Sequence, residues 1–173
     1  MKSDDVFVQR ILPTIMSRLT SVEQRGPRVS PAAIVRQHED VTTTGTSYAE
    51  ITRAAAGYGH IPSFKAFWDD GLRPSFLIIG ELDNDTGGAT TSLSFELRQF
   101  SSGEADIVLL AAADTHVITN IGTTEFWKSS GWISPTISTP TEDHALALLS
   151  GKVSAGTGTY SGCALFVRWA PGS

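Results

Sequence analysis

The apolar positions of the chain change their spacing once. Within residues 1–29, Val8, Ile11, Leu12, Ile15, Met16 and Leu19 recur at helical spacing behind Ser3, Asp4 and Asp5, which make a helix start. Pro13 falls inside that stripe and limits it to one or two short turns. The polar stretch from Ser21 to Ser30, with Gly26 and Pro27, reads as a linker. The predicted organisation is an N-terminal arm and linker over residues 1–29, then a β domain over residues 30–173.

From residue 31 the period is two. Ala32 to Thr44 reads as an entry strand, and Tyr48 to Thr52 as a short second one. Gly57 to Arg73 is irregular, broken by Gly57, Gly59, Pro62 and Gly71; its Phe64, Phe67 and Trp68 predict a loop packed down around one helical turn. Ser75 to Leu82 is apolar on both faces, as a central strand would be. The turn Asp83–Gly88 leads into Leu93, Phe95 and Leu97 alternating with Ser94, Glu96 and Arg98, which predicts a hairpin. Further strands are expected at Ile107–Ala111, His116–Ile121 and around Phe126, Trp127 and Trp132. A Pro/Thr loop follows from Ile133 to Glu142. A closing hairpin joins Ala145–Val153 to Gly162–Trp169, with Cys163, Leu165, Val167 and Trp169 on one face. Eight or nine short strands with turns every 8 to 12 residues predict an all-β fold, an antiparallel jelly-roll-like β-sandwich with a short, partly helical N-terminal arm.

Composition supports that reading and removes several functions. Ser, Thr and Gly make up 54 of 173 residues, and there are only 4 Lys, so a bundle of long exposed helices is excluded. The net charge is -5 and the 13 basic residues are scattered, so no stripe exists to neutralise a phosphate backbone; nucleic acid is not an expected partner. The longest apolar run, Ile107 to Ala113, is far below the ~20 residues of a membrane span. The N-terminus, with Lys2, Asp4 and Asp5, does not read as a secretory signal. One cysteine permits no internal disulfide.

No chemistry-bearing motif survives inspection. His38, His60, His116 and His144 lie in no HxH, HxxxH or HExxH spacing, so they read as turn and strand-end histidines, with a site assembled in space as the other reading. There is no G-x-S-x-G elbow, and Asp143 and His144 are neighbours that would point to opposite faces of a strand. Cys163 alternates with core positions and reads as a small core residue. Asp83, Asn84, Asp85 and Thr86 offer several oxygens, but an EF-hand would need Glu where Ser94 stands. The glycines of 86–88 and 151–162 precede no helix and cannot cradle phosphates. Catalytic residues, metal ligands and cofactors are therefore all expected to be none. Phe126, Trp127 and Trp132 flank a polar turn; at least two of them are expected in the core, and where exposed they form a candidate subunit interface or sugar-stacking platform.

Two segments carry a resemblance. Thr46–Gly57 (TSYAEITRAAAG) resembles the entry strand of jelly-roll domains in virion proteins of tailed bacteriophages, and Ala145–Trp169 resembles their last two strands, where a G-x-V-x-x-G-x-G-T turn feeds a terminal apolar strand. Residues 75–99 fit their middle, while residues 58–74 and the first 40 residues depart from the pattern. The resemblance implies a tumour-necrosis-factor-like sandwich, commonly trimeric, that serves in head decoration, head fibres, tail fibres or baseplates. It implies a non-enzymatic virion component, made in the host cytoplasm, with itself and other virion proteins such as major capsid or tail proteins as partners. The arm residues Val8, Ile11, Leu12, Ile15, Met16 and Leu19 would then be its assembly element. The alternative is a carbohydrate- or receptor-binding sandwich whose partner is a host surface glycan.

Overall fold

The computed structural model describes residues 29–37, 39–51, 59–100, 103, 105–115, 118–123 and 126–172. The arm residues from Val8 to Leu19, together with His38 and His116, lie outside these. In chain order the elements are β1 (Val29–Arg36), β2 (Val41–Thr43), β3 (Ala49–Glu50), β4 (Gly59–Ile61), α1 (Phe64–Asp69), β5 (Leu72–Asn84), β6 (Thr90–Phe100), β7 (Asp106–Leu110), β8 (Ile118–Ile121), β9 (Phe126–Ser129), β10 (Ala145–Val153) and β11 (Gly158–Pro171). A single 3-10 turn, Ala112–Asp114, separates β7 from β8.

Two antiparallel sheets result. The first runs β1–β11–β5–β9, with β2 also on β11; the second runs β3–β10–β6–β7, with β4 on β10 and β8 on β6. β2 and β1 meet successive stretches of β11, at 158–160 and then 164–169, so they are one interrupted strand. β3 and β4 share β10 in the same way, and β7 and β8 share β6. Merged so, eight strands form two four-stranded sheets of order 1-8-3-6 and 2-7-4-5, a jelly roll.

This topology corrects two expectations. β5 and β6 are not a hairpin, since β5 bonds to β11 and β9 whereas β6 bonds to β10, β7 and β8. β10 and β11 likewise belong to opposite sheets. A turn of four or five residues can cross the ~10 Å between packed sheets as well as close a ladder, and alternation within a strand does not say which. Both crossings lie at the same end, where the structure stitches them together. The Asp85 N–H donates to the Thr157 carbonyl at 3.0 Å, the Thr157 N–H to Asp85 Oδ1 at 2.8 Å, and Asn84 Nδ2 to the Ala155 carbonyl at 3.2 Å.

The core lies between the sheets. Phe76 of the first sheet meets Phe95 of the second, ring centroids 4.7 Å apart, among Ile78, Leu82, Leu93, Leu97, Leu149 and Leu165. Cys163, Leu165, Val167 and Trp169 all point inward, as their alternation predicts. At the end remote from the stitched turns, α1 closes the core: Phe64 and Phe67 set their edges against Trp169 at 5.0 and 5.1 Å. The aromatic loop is thus packed down around a short helix. Tyr160 is fully buried, its hydroxyl 3.1 Å from the Ser92 carbonyl and 3.0 Å from that of Lys152. Its ring lies over Gly151, where a Cβ would stand 2.5 Å from ring and hydroxyl atoms.

The predicted entry strand is split for a local reason. β11 bulges between Ser161 and Ala164, with Gly162 at φ 58°, so a straight partner loses register there. Gln37 fills the gap. Its backbone N–H donates to the Cys163 carbonyl at 2.8 Å, its Nε2 to the Tyr160 carbonyl at 2.7 Å, and its Oε1 accepts from the Cys163 N–H at 3.2 Å. A side-chain amide thus replaces the ladder bonds between β1 and β2.

Candidate self-association surface

In a sandwich the outward residues of each strand face solvent and are ordinarily polar. On β5 the inward set is Leu72, Pro74, Phe76, Ile78, Gly80, Leu82 and Asn84, all buried. The outward set is Arg73, Ser75, Leu77, Ile79, Glu81 and Asp83, polar at both ends and apolar in the middle. The register places Leu77 opposite Phe166 and Ile79 opposite Ala164 on β11, and Phe166 opposite Ala33 on β1. Leu77, Ile79, Phe166 and Ala33 are partly exposed. An apolar strip therefore crosses the outer face of the first sheet, where the two strands are most regular.

Trp127 sits at one end of that strip. It lies on the edge strand β9 opposite Glu81 and is 60% exposed, the second most exposed large apolar side chain among the described residues after Ile121. Its ring lies against Gly162, where a Cβ would come within 2.7 Å of it, so the bulge glycine lets the indole lie on the sheet. Trp132 is half-buried and has the Arg168 guanidinium over its ring at 4.3 Å. Gly162 and Arg168 are six positions apart on β11, about 15–20 Å along a strand. The two tryptophans thus lie against positions at opposite ends of the strip. Of Phe126 only the backbone, in β9, is described.

Charge surrounds the strip. Arg36 and Arg168 lie on the β1/β11 side, and Glu81 and Asp83 on β5. An apolar centre with a charged rim is the anatomy of a protein–protein interface, and Trp and Arg are the residues that dominate binding energy in such patches.

The other candidate groups fall elsewhere. Cys163 is fully buried, and its thiol is pushed up to about 12 by burial and, secondarily, by the Asp40 carboxylate. It is a core residue. Asp85 is occupied by the two stitched turns: the Thr157 amide of one and the Thr86 hydroxyl of the other hold its carboxyl below the usual carboxylate range. His60 and His144, 84 residues apart in the chain, are brought together on the second sheet, Nε2 to Nδ1 at 3.0 Å. Sequence spacing could not show that pair. Among the described residues no group of three or more His, Cys, Asp or Glu is arranged around a metal position.

The apolar strip itself was visible in the sequence as the two-faced run Ser75–Leu82, but a central strand covered on both sides has the same pattern. No protein-family model matches the chain, and no curated protein matches it.

Proposed function

We propose that the protein is a non-enzymatic structural component of a bacteriophage virion, in capsid decoration or fibre and tail attachment. In this reading copies of the chain associate through the outer face of the first sheet, and the segment before β1 attaches them to the particle. The virion assignment is supported by the resemblance of residues 46–57, 75–99 and 145–169. Self-association rests on the apolar strip of Leu77, Ile79 and Phe166 with Trp127 at its edge. The occupant is a second copy of the chain because the rim carries both signs of charge: Arg36 and Arg168 on the β1/β11 side of one copy can meet Glu81 and Asp83 on β5 of the next in a closed ring.

The ends of the sandwich divide the labour. β1 begins opposite Trp169, and β11 ends opposite Leu72, so the chain enters and leaves at the α1 end. The stitched turns lie at the far end of β5, about 40 Å away along its 13 residues. Attachment at the α1 end displays those turns outward.

Sedimentation of the full chain tests the association. The expected result is a homo-oligomer, a trimer, that Ile79→Lys with Phe166→Lys converts to a monomer with an unchanged β-sheet circular dichroism spectrum. A native chain that is monomeric at high concentration would refute the interface. Mass spectrometry of purified virions tests the location, and absence of the chain from the particles would refute it.

A further inference from the structure

The second sheet carries a separate feature at the α1 end. His60, in β4, is in register with Leu146 of β10, and His144 lies two residues before Leu146, so both imidazoles stand on the outer side of that sheet. Their rings stack with centroids 4.9 Å apart and planes at 21°. Nε2 of His60 and Nδ1 of His144 face each other at 3.0 Å. Each backbone is anchored independently, His60 by the β4–β10 ladder and the residue before His144 by the Phe64 N–H, which donates to the Asp143 carbonyl at 2.7 Å. The pair lines an open concavity of about 470 Å³ with Phe100 and Leu146 as walls and Glu142 and Asp143 beside it.

We infer that His60 and His144 form a two-histidine chelating site for a divalent late transition metal, with Cu²⁺ as the best fit and Ni²⁺ next. Two neutral imidazole nitrogens within reach of one ion are favoured donors for these metals. Nitrogens 3.0 Å apart can both reach one ion at metal–nitrogen bonds of ~2.0–2.1 Å. Cu²⁺ leads because imidazole sites follow the Irving–Williams order, in which Cu²⁺ stands above both Ni²⁺ and Zn²⁺. Among the described residues no third His, Cys, Asp or Glu completes the set, so water from the concavity fills the remaining positions, and the Glu142 and Asp143 carboxylates add favourable charge. Without metal one imidazole donates its proton to the other. On binding, that donor moves its proton to its other ring nitrogen, so both facing nitrogens are free and no net proton is released. The ion then clamps β4 to the start of β10 in place of a single hydrogen bond.

The test is titration of the untagged full-length chain with Cu²⁺ alone, read by calorimetry and by electron paramagnetic resonance at one equivalent. The expected result is one site with a tetragonal signal split by two imidazole nitrogens, followed in affinity by Ni²⁺ and then Zn²⁺. His60→Ala and His144→Gln should each weaken it at least tenfold while leaving the circular dichroism spectrum unchanged. Cu²⁺ binding that survives both substitutions, a signal from other donors such as the N-terminal amine, or tighter binding of Zn²⁺ than of Cu²⁺ would overturn the assignment.

Discussion

Gln37→Ala removes one carboxamide from the gap between β1 and β2. Two hydrogen bonds go with it, the donation to the Tyr160 carbonyl at 2.7 Å and the acceptance from the Cys163 N–H at 3.2 Å. Each bond is worth about 1 kcal/mol net, and a buried donor left without a partner costs about 1–3 kcal/mol. Cys163 is fully buried, so its amide belongs to the costly class. The expected loss is about 2–4 kcal/mol, or roughly 5–15 °C in Tm for a chain of this size. Equilibrium urea unfolding of both proteins at one fixed concentration measures it. Gln37→Glu separates lost hydrogen bonding from lost packing. An ionised Glu still accepts from Cys163 but turns a second oxygen on the Tyr160 carbonyl, while a protonated Glu makes both bonds. Its folded-state pKa is therefore raised, so its contribution is present below the unfolded value of ~4.3 and is lost as the pH rises through the folded value. The deficit of Gln37→Glu should be small near pH 4 and large at pH 7, whereas that of Gln37→Ala should not follow the pH. A Gln37→Ala protein within about 0.5 kcal/mol of the parent would refute the bridging role.

Gly151→Ala should destabilise by about 1–3 kcal/mol, because the added methyl displaces the fully buried Tyr160 ring; unfolding by denaturant measures it, and a neutral effect would mean the ring has room. Asp85 is held below the usual carboxylate range by the Thr157 amide and the Thr86 hydroxyl, so the stability it supplies is present above its unfolded pKa and lost as the pH falls through the lower folded value. The gap between native and Asp85→Ala proteins should be open at pH 7 and close in acid below about pH 4, and a gap that does not narrow would show the turn is held otherwise. The Cys163 thiol, pushed up to about 12 and buried, should be inert to a thiol-specific chromogenic reagent at pH 8 until denaturant is added; immediate reaction in buffer would place it at the surface.

The strands of this fold were legible wherever one face is buried and the other wet. β6 shows a clean alternation because Leu93, Phe95 and Leu97 meet the opposite sheet while Glu96 and Arg98 face outward. The partners of each strand were not legible, because the turns 85–89 and 154–157 read equally as hairpin turns or as crossings, and only the ladders decide. β4 escaped notice because three residues, Gly59–Ile61, are too few to show a period. The bulge in β11 and the role of Gln37 follow from contacts 123 and 126 residues away in the chain. The two tryptophans of the candidate interface could be named from the sequence, but their separation could not. The openness of Leu77 and Ile79 was not legible, because the two-faced apolar run Ser75–Leu82 looks the same whether its outer face is covered or left open.

The outer face of the first sheet and the patch of the second sheet beneath the 3-10 turn distribute polarity in opposite ways. On the second sheet the outward residues of β6 include Ser92 and Ser94, and both are buried. Ser94 lies beneath the 3-10 turn, donating to the Ala112 carbonyl at 2.9 Å and bonding Thr115. Tyr48 reaches across to Ser92 and carries Lys152 over its ring at 4.4 Å; its phenol is raised by burial, an effect that the Ser92 hydrogen bond partly offsets. Small hydroxyl side chains let the chain cross close over that face and satisfy its own polar atoms there. On the first sheet the order is reversed, since Leu77, Ile79 and Phe166 keep part of their surface open. The patch of Ser92 and Ser94, already covered by the 112–115 turn and Tyr48, has little left to gain from a partner. An open face built of Leu, Ile and Phe gains about 25 cal/mol for every Å² it loses to solvent. Association that turns the first sheet inward adds apolar burial without disturbing existing hydrogen bonds. Association through the covered part of the second sheet would first have to strip the 112–115 turn and leave Ser94 without its partners.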